Sequence, residues 1–296
     1  MRRFLLFGFL ASLVAGGVVL WFQSDHQSAR QLSGTRTVPR SDTSSVSVST
    51  TPGAASHLLA PDALSAAGQH VLQEPGWRPT LAEVGPVSAP AEDQLVQRYR
   101  QISDLPNKVG ILMVLAYGKR PIAVELLTNA ITTEFTGRQF IETEAESFVE
   151  LLELLGHTAQ WSDSAYQFLE QVCEPQYWET HDLPQYQQQA EFRSDLLRFA
   201  LIGLAASGRG EVLGFLEGLR ARSIEDWPLE HRSKVTDAVF RYRMLERLGP
   251  KYFSRETFPT GESFMRAFLD WRATPEGTEW SAWSDPNNWP QSIRNR

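Results

Sequence analysis

The chain has 296 residues, of which 42% are hydrophobic and 21% charged, a size that allows one globular domain of up to about 200 residues plus appendages. Its net charge is −7, with +1 on residues 1–91 and −8 on residues 92–296. An acidic domain is repelled by phosphate backbones, so binding to nucleic acid is disfavoured. Cys173 is the only cysteine, which excludes an intrachain disulfide, and we expect its side chain to fill a core position.

Residues 1–22 are predicted to form an N-terminal transmembrane signal-anchor. Arg2 and Arg3 precede an apolar run, residues 4–22, that holds no charged side chain. As a helix this run would be about 28 Å long, close to the roughly 30 Å hydrocarbon core of a bilayer. The positive-inside rule then places the N-terminus in the cytoplasm and the C-terminal domain outside it. The alternative is a cleaved signal peptide, which would leave a secreted or periplasmic protein.

The predicted membrane helix has a face of small residues. Gly8, Ser12 and Gly16 recur every four residues and therefore share one side of the helix. Small side chains let the backbones of membrane helices approach closely, so these three residues are the candidate face for pairing into a homodimer. The alternative is that small residues are simply common in membrane anchors.

Residues 23–91 are predicted to be a disordered linker. The segment is rich in Ser, Thr, Pro and Ala, and Trp77 is its only Trp, Tyr or Phe. Such a composition buries too little apolar surface to offset the entropy lost on ordering. Trp77 is the one side chain in it that we expect to dock on the domain that follows.

Residues 92–272 are predicted to form an all-helical domain. Apolar residues recur there at i, i+3, i+4 and i+7, as in Val109, Leu112, Met113 and Ala116. Alternating runs and hairpin turns typical of strands are scarce. Helices are predicted to start near Pro106 and Pro121, and the first turn after Ser162 is predicted to be capped by that side chain.

Two stretches of this domain share one pattern. Residues 109–118 lead into residues 123–127, and residues 197–208 lead into residues 212–216. Each reads as an apolar helix, a short turn and a second apolar helix. The first helices are predicted to end at glycine, which adopts a positive φ without steric cost; the four glycines are Gly118, Gly156, Gly208 and Gly249.

With this pattern, residues 106–250 resemble HEAT and armadillo repeats. Those families stack helix pairs of about 40–47 residues, so the resemblance implies a solenoid-like, all-α fold. The glycines are unevenly spaced along the chain, and an irregular helical bundle is the alternative.

We assign no catalytic, cofactor-binding or metal-binding residue from the sequence. It holds no His-Glu-x-x-His, Gly-x-Ser-x-Gly, Walker A or Gly-x-Gly-x-x-Gly motif. Glu142, Glu144 and Glu146 are expected to point to different helix faces and into solvent. His157 is expected to lie at a helix end, where a cation suits the dipole, and His231 to be exposed. A loop with three polar candidates for metal ligands is expected to be solvated: Glu179, His181 and Asp182.

Residues 273–296 are predicted to form a Trp-rich C-terminal tail. Trp280, Trp283 and Trp289 are a candidate aromatic interaction segment, because Trp is enriched in binding hot spots. The alternative is that they pack back on the last helices.

Together these features predict a membrane-tethered, non-catalytic interaction or scaffold module on the extracytoplasmic side. The alternative function is an extracytoplasmic, hydrolase-like enzyme with a dispersed site in the helical domain.

Overall fold

A computed structural model of the chain describes residues 65–74, 76–223, 227, 229–249 and 257–288. Regular structure in these residues is entirely helical, without a strand, which confirms the all-α prediction for this part of the chain. The predicted membrane anchor with Gly8, Ser12 and Gly16 lies outside the described residues, as does Trp289. Within the described residues, none of the helices combines the length and the hydropathy needed to cross a membrane.

The described part of the chain folds into thirteen α-helices. In chain order they are α1 Ala66–Gln73, α2 Ala89–Gln101, α3 Leu105–Tyr117, α4 Pro121–Asn129, α5 Glu142–Ala159, α6 Asp163–Val172, α7 Pro175–Glu179, α8 Pro184–Gln188, α9 Ala190–Ala206, α10 Val212–Arg220, α11 Arg232–Leu248, α12 Gly261–Arg272 and α13 Pro275–Ser284. A π-helical turn, Ala130–Glu134, continues α4, and 3₁₀ turns precede α11 and follow α13.

Four of these helices pack side by side in the order α3, α5, α9 and α11. Helices α5 and α9 run in the same direction, since Phe148 lies 6.4 Å from Phe192 near their starts and Gly156 meets Gly203 near their ends. The other helices cover this row. Helix α4 packs on α3, α6 packs on α5 and α9, and α10 and α13 pack on α11.

Helix α5 lies at the centre of the fold and buries eleven of its 18 residues. The ring of Phe148 is fully buried and packs 5.2 Å from Phe140 and 6.3 Å from Trp178, measured between ring centroids. Aromatic rings at these separations stabilise the fold by more than the burial of their apolar area alone. The i, i+3, i+4 pattern of the sequence therefore corresponds to a real core.

The predicted end of α5 at Gly156 is wrong, because the helix continues to Ala159. A Cβ atom at Gly156 would lie 2.2 Å from the carbonyl oxygen of Gly203, and one at Gly203 would lie 2.3 Å from that of Leu152. The two glycines thus allow the backbones of α5 and α9 to touch. Gly156 serves helix packing rather than helix termination.

The other helix ends follow the predictions more closely. Gly208 and Gly249 have a φ of +63°, the left-handed conformation expected of a terminating glycine. At the end of α3, however, Gly118 has a φ of −75° and the left-handed residue is Lys119, with a φ of +54°. A Cβ atom at Gly118 would lie 2.5 Å from the side chain of Val87, so this glycine too is required by close packing.

Helix starts agree with their sequence signals. The predicted prolines lie in the first turns of α3 and α4, and the Ser162 hydroxyl accepts a hydrogen bond of 3.3 Å from the Ala165 N–H. Helices also extend beyond residues 92–272. The first, α1, lies within the segment predicted as linker, and its Val71 is completely buried. The last, α13, lies within the segment predicted as tail.

Candidate interaction face

Helix α5 carries a stripe of polar side chains at its surface. The stripe consists of Glu142, Glu146, Glu150, Glu153 and His157, which follow one another at intervals of three or four residues. This spacing places them on one face of the helix. From residue 147 to residue 159 every side chain outside the stripe is buried. The stripe is thus all that α5 offers to a partner over most of its length.

The neighbouring helices of the row continue this surface with stripes at the same helical spacing. We define the polar face as the residues Tyr117 on α3, Glu146, Glu150, Glu153 and His157 on α5, Asp195 and Arg198 on α9, and Lys234, Asp237 and Arg241 on α11. All ten side chains are partly exposed. They come from four helices that are far apart in the sequence, and the fold brings them together.

Several groups of the polar face are dehydrated although solvent reaches them. Burial raises the pKa of the Glu153 carboxyl, and Glu150 acts in the same direction while Arg241 opposes it. Burial also lowers the pKa of His157 to about 4 and that of Lys234 to about 8. Low local polarity disfavours the charged form in each case. Partial exposure combined with dehydration is typical of groups in a recess.

The edge of Tyr117 contacts His157 across α3 and α5. Their ring centroids are 5.3 Å apart with an interplanar angle of 88°, and burial together with the charges of Glu153 and Glu150 raises the pKa of the Tyr117 phenol. At neutral pH both rings are uncharged. This end of the polar face therefore combines a neutral imidazole, a phenol and a carboxyl with a raised pKa.

Charge is distributed unequally over the polar face. On the α11 side, Arg241 Nε donates a hydrogen bond of 2.8 Å to Asp237. Burial raises the pKa of Asp195, and the charges of Arg198 and Lys234 oppose that shift. On the α5 side the carboxylates repel one another. Burial raises the pKa of Glu146, and the charges of Glu142 and Glu150 raise it further. Glu146 forms no ion pair with any residue that the structure describes.

One cation reaches the α5 carboxylates from a distant part of the chain. Arg78 Nε donates to Glu150 Oε2 at 3.2 Å, and its Nη2 donates to the Ser147 hydroxyl at 3.4 Å. Arg78 belongs to residues 76–87, which connect α1 with α2 and which we call the strap. The strap lies against the acidic side of the polar face, and nothing in the local sequence around Arg78 predicts that.

Three ionisable residues differ from their predicted roles. His157 lies in the last turn of α5, as expected, but it is not a cation there, because burial lowers its pKa to about 4. His231 is not exposed but partly buried, with its ring 5.7 Å from that of Trp227, and burial lowers its pKa to about 4. Glu144 does not face solvent, because its buried carboxylate accepts hydrogen bonds from Arg138 at 3.0 Å and from the Ile141 N–H at 3.3 Å.

The two described tryptophans of the candidate aromatic segment differ in exposure. Trp280 is only 2% exposed, and the guanidinium of Arg220 lies 4.8 Å from its ring centroid. Trp283 is partly exposed, meets Trp280 edge-on at 5.6 Å and carries Arg232 over its ring at 4.8 Å. Trp280 therefore packs back on the helical core, and only Trp283 presents aromatic surface.

Other surfaces offer less chemistry than the polar face. A shallow depression of about 570 Å³ lies between α4 and α6, where Glu125 is the only ionisable lining residue. His181 stacks on Tyr177 at 4.0 Å, and its Nδ1 lies 2.7 Å from the Tyr177 carbonyl oxygen. No group of three or more potential metal ligands occurs in the part of the chain that the structure describes. Cys173 is fully buried.

Comparison of the chain with protein-family models, with curated proteins and with solved structures finds no match.

Proposed function

We propose that the helical unit is a non-catalytic interaction module and that a partner protein docks along the polar face. The observation that carries this proposal is the geometry of α5. Flanked by α3 and α9, this helix carries a stripe of four carboxylates and one neutral histidine, and from residue 147 to residue 159 it exposes nothing else. Carboxylates that repel one another in a dehydrated recess favour a ligand that brings positive charge.

The membrane anchor and the location of the module are inferred from the sequence. Residues 4–22 would hold the module at a membrane as a single-pass anchor, with the helical unit on the extracytoplasmic side. The resemblance of residues 106–250 to HEAT and armadillo repeats agrees with a binding role, because stacked helix pairs create extended surfaces for partners. Pairing through Gly8, Ser12 and Gly16 would present two such faces side by side.

The test is site-specific photo-crosslinking of the full chain in its native membrane. A crosslinking residue would replace Met113 or Ser194, which are partly exposed on α3 and α9 beside the polar face, or Thr128 in the depression near α4. We expect the same partner to be captured from the first two positions and not from Thr128. The charge reversal Glu146→Lys should abolish these adducts, whereas Glu125→Lys on α4 should leave them intact. Adducts that survive Glu146→Lys would refute the proposal.

A second candidate function is the hydrolase-like enzyme with a dispersed site. The observation in its favour is the group formed by Tyr117, Glu153 and His157, because a carboxyl of raised pKa and a neutral imidazole suit general acid-base chemistry. The substitution Glu153→Gln separates the two candidates. It would abolish turnover by an enzyme, whereas crosslinking to a partner of a binding module would persist.

A further inference from the structure

The strap lies on the surface to which we assign partner binding. Its residue Arg78 reaches two acceptors on α5, the carboxylate of Glu150 and the hydroxyl of Ser147, over 72 and 69 residues of sequence. The side chain of Arg78 is 18% exposed and that of Glu150 is 31% exposed. A third hydrogen bond, from Nη1 of Arg78 to the Gly76 carbonyl at 3.2 Å, orients the guanidinium.

The strap runs between two buried valines of the chain. Before it, Val71 of α1 is completely buried, and at its end Val87 is 7% exposed and accepts a hydrogen bond of 3.3 Å from Arg120 through its carbonyl. Between these points Pro79 is buried, but Thr80 is exposed and Leu81 is 48% exposed. After Pro79 the strap is exposed from residue 80 to residue 83, and its hydrogen bonds to α5 are made by Arg78.

We propose that the strap is an internal occupant of the polar face, and that the partner presents an extended segment whose arginine takes the place of Arg78. This inference rests on the function proposed above and names the chemistry of the partner. The strap is released when the partner binds, so its contact with Glu150 and Ser147 is autoinhibitory.

The two acceptors select arginine over lysine. Nε and Nη2 of a guanidinium form a rigid fork, and here each prong meets a different acceptor on successive turns of α5. The ammonium of lysine is a point charge that cannot reproduce this geometry. A partner segment with lysine at this position should therefore bind more weakly than one with arginine.

Attachment to the same chain makes the strap an effective competitor. A segment tethered over a short distance acts at an effective concentration on the order of 1 mM. A free segment binds with its intrinsic affinity reduced by the fraction of molecules in which the strap is open. Weakening the strap should therefore strengthen binding of a free segment without any new contact.

The experiment measures fluorescence anisotropy of a labelled peptide with the sequence of residues 76–84, Gly-Trp-Arg-Pro-Thr-Leu-Ala-Glu-Val. The receptor is the full chain in detergent micelles. We expect the Arg78→Ala protein to bind this peptide about three- to fivefold more tightly than the unmodified protein. Adding Glu150→Ala to Arg78→Ala should abolish the gain. The control Arg266→Ala removes an exposed arginine that pairs with Glu262 on α12 and should change nothing.

Peptide variants complete the test. Replacing the arginine of the peptide by lysine should weaken binding to the Arg78→Ala protein at least about fivefold, and alanine should weaken it further. Equal affinity of the arginine and lysine peptides, no binding to the Arg78→Ala protein, or equal binding to both proteins would each overturn the inference. Crosslinking of a partner through the polar face, combined with any of these results, would refute the strap inference and leave the proposed function standing. Peptide binding as expected, without crosslinking of a partner, would refute the proposed function and leave the strap as an occupant of the polar face.

Discussion

The two ends of the helical unit pack back on it by different means. At the N-terminal end, the strap holds to α5 through the guanidinium of Arg78, which pairs with the partly exposed Glu150 and with the buried Ser147 hydroxyl. At the C-terminal end, α13 inserts Trp280, which is 2% exposed, and the Thr236 hydroxyl donates a hydrogen bond of 3.3 Å to the Trp280 carbonyl oxygen. Both segments fall largely outside the domain boundaries predicted from the sequence.

The difference shows which end belongs to the core. A buried tryptophan removes a large apolar area from water, and no solvent molecule replaces that contribution. Water or another cation replaces a partly exposed guanidinium at small cost, because exposed ion pairs contribute only about 0–1 kcal/mol. Helix α13 is therefore an integral part of the fold, whereas the strap is a segment that a ligand displaces.

The largest effect is expected for Trp280→Ala, which tests whether α13 is part of the core. Loss of the buried ring should lower the free energy of unfolding by about 3–5 kcal/mol, as for other large-to-small core substitutions. The matched variant Trp283→Ala, at a partly exposed position, should cost clearly less. Denaturant unfolding of the full chain in detergent, followed by far-UV circular dichroism, measures both. Equal effects would mean that α13 is not anchored by Trp280.

A second test concerns the approach of α13 to α12. A Cβ atom at Gly277 would lie 2.0 Å from the carbonyl oxygen of Trp271, which is backbone and cannot turn aside. Gly277→Ala should therefore destabilise the protein by about 1–3 kcal/mol, the range of overpacked sites. Gly218→Ala on α10 is the control. Nothing lies within 4 Å of a Cβ there, so helix propensity alone should stabilise it by about 0.5–1 kcal/mol in the same unfolding assay.

The dependence of stability on pH tests the polar face, against which the strap lies. The pKa of His157 is about 4 in the fold, below the ordinary value of about 6.5, so between these values the folded state binds fewer protons than the unfolded state. This contribution to stability is present above about pH 6.5 and is lost as pH falls towards 4.

Replacing His157 by Gln removes that proton uptake. The loss of unfolding free energy between pH 7.5 and pH 4.5 should therefore shrink by about 1–3 kcal/mol in the His157→Gln protein. The carboxyl of Glu153 acts with the opposite sign, because its raised pKa favours the folded state as pH falls. Urea titrations at the two pH values measure the difference, and an unchanged pH dependence would place His157 in contact with bulk water.

The smallest effect on stability is expected at the strap. Arg78→Ala should lower the free energy of unfolding by less than about 1 kcal/mol, since the pair with Glu150 is partly exposed. Hydrogen exchange should nevertheless become faster in residues 76–87 and stay unchanged in α13. A large loss of stability would make the strap a structural element of the core, as α13 is.

Local signals predicted much of the fold. The prolines in the first turns of α3 and α4, the cap at Ser162 and the apolar period each act within one or two helical turns, and the structure agrees with them. Gly156 shows where such signals fail. Its role depends on the backbone of α9, 47 residues further along the chain, and a terminating glycine and a packing glycine look the same in the sequence.

The polar face was only partly visible in the sequence. The helical spacing of Glu146, Glu150 and Glu153 can be read from the residues alone, but their burial between α3 and α9 depends on tertiary packing. Arg78 lies in a segment whose composition indicates a linker. Its partners on α5 are about 70 residues away, a distance at which no periodicity or motif carries information.

The contact of Gly156 with Gly203 also has a use in spectroscopy. Because backbone touches backbone there, the spacing of α5 and α9 near their C-terminal ends has no room to decrease. Spin labels on the outer surfaces of these two helices would therefore record this separation as a minimum, and any change on binding would be an increase. A second pair of labels on α3 and α11 would show whether the polar face widens at its edges instead.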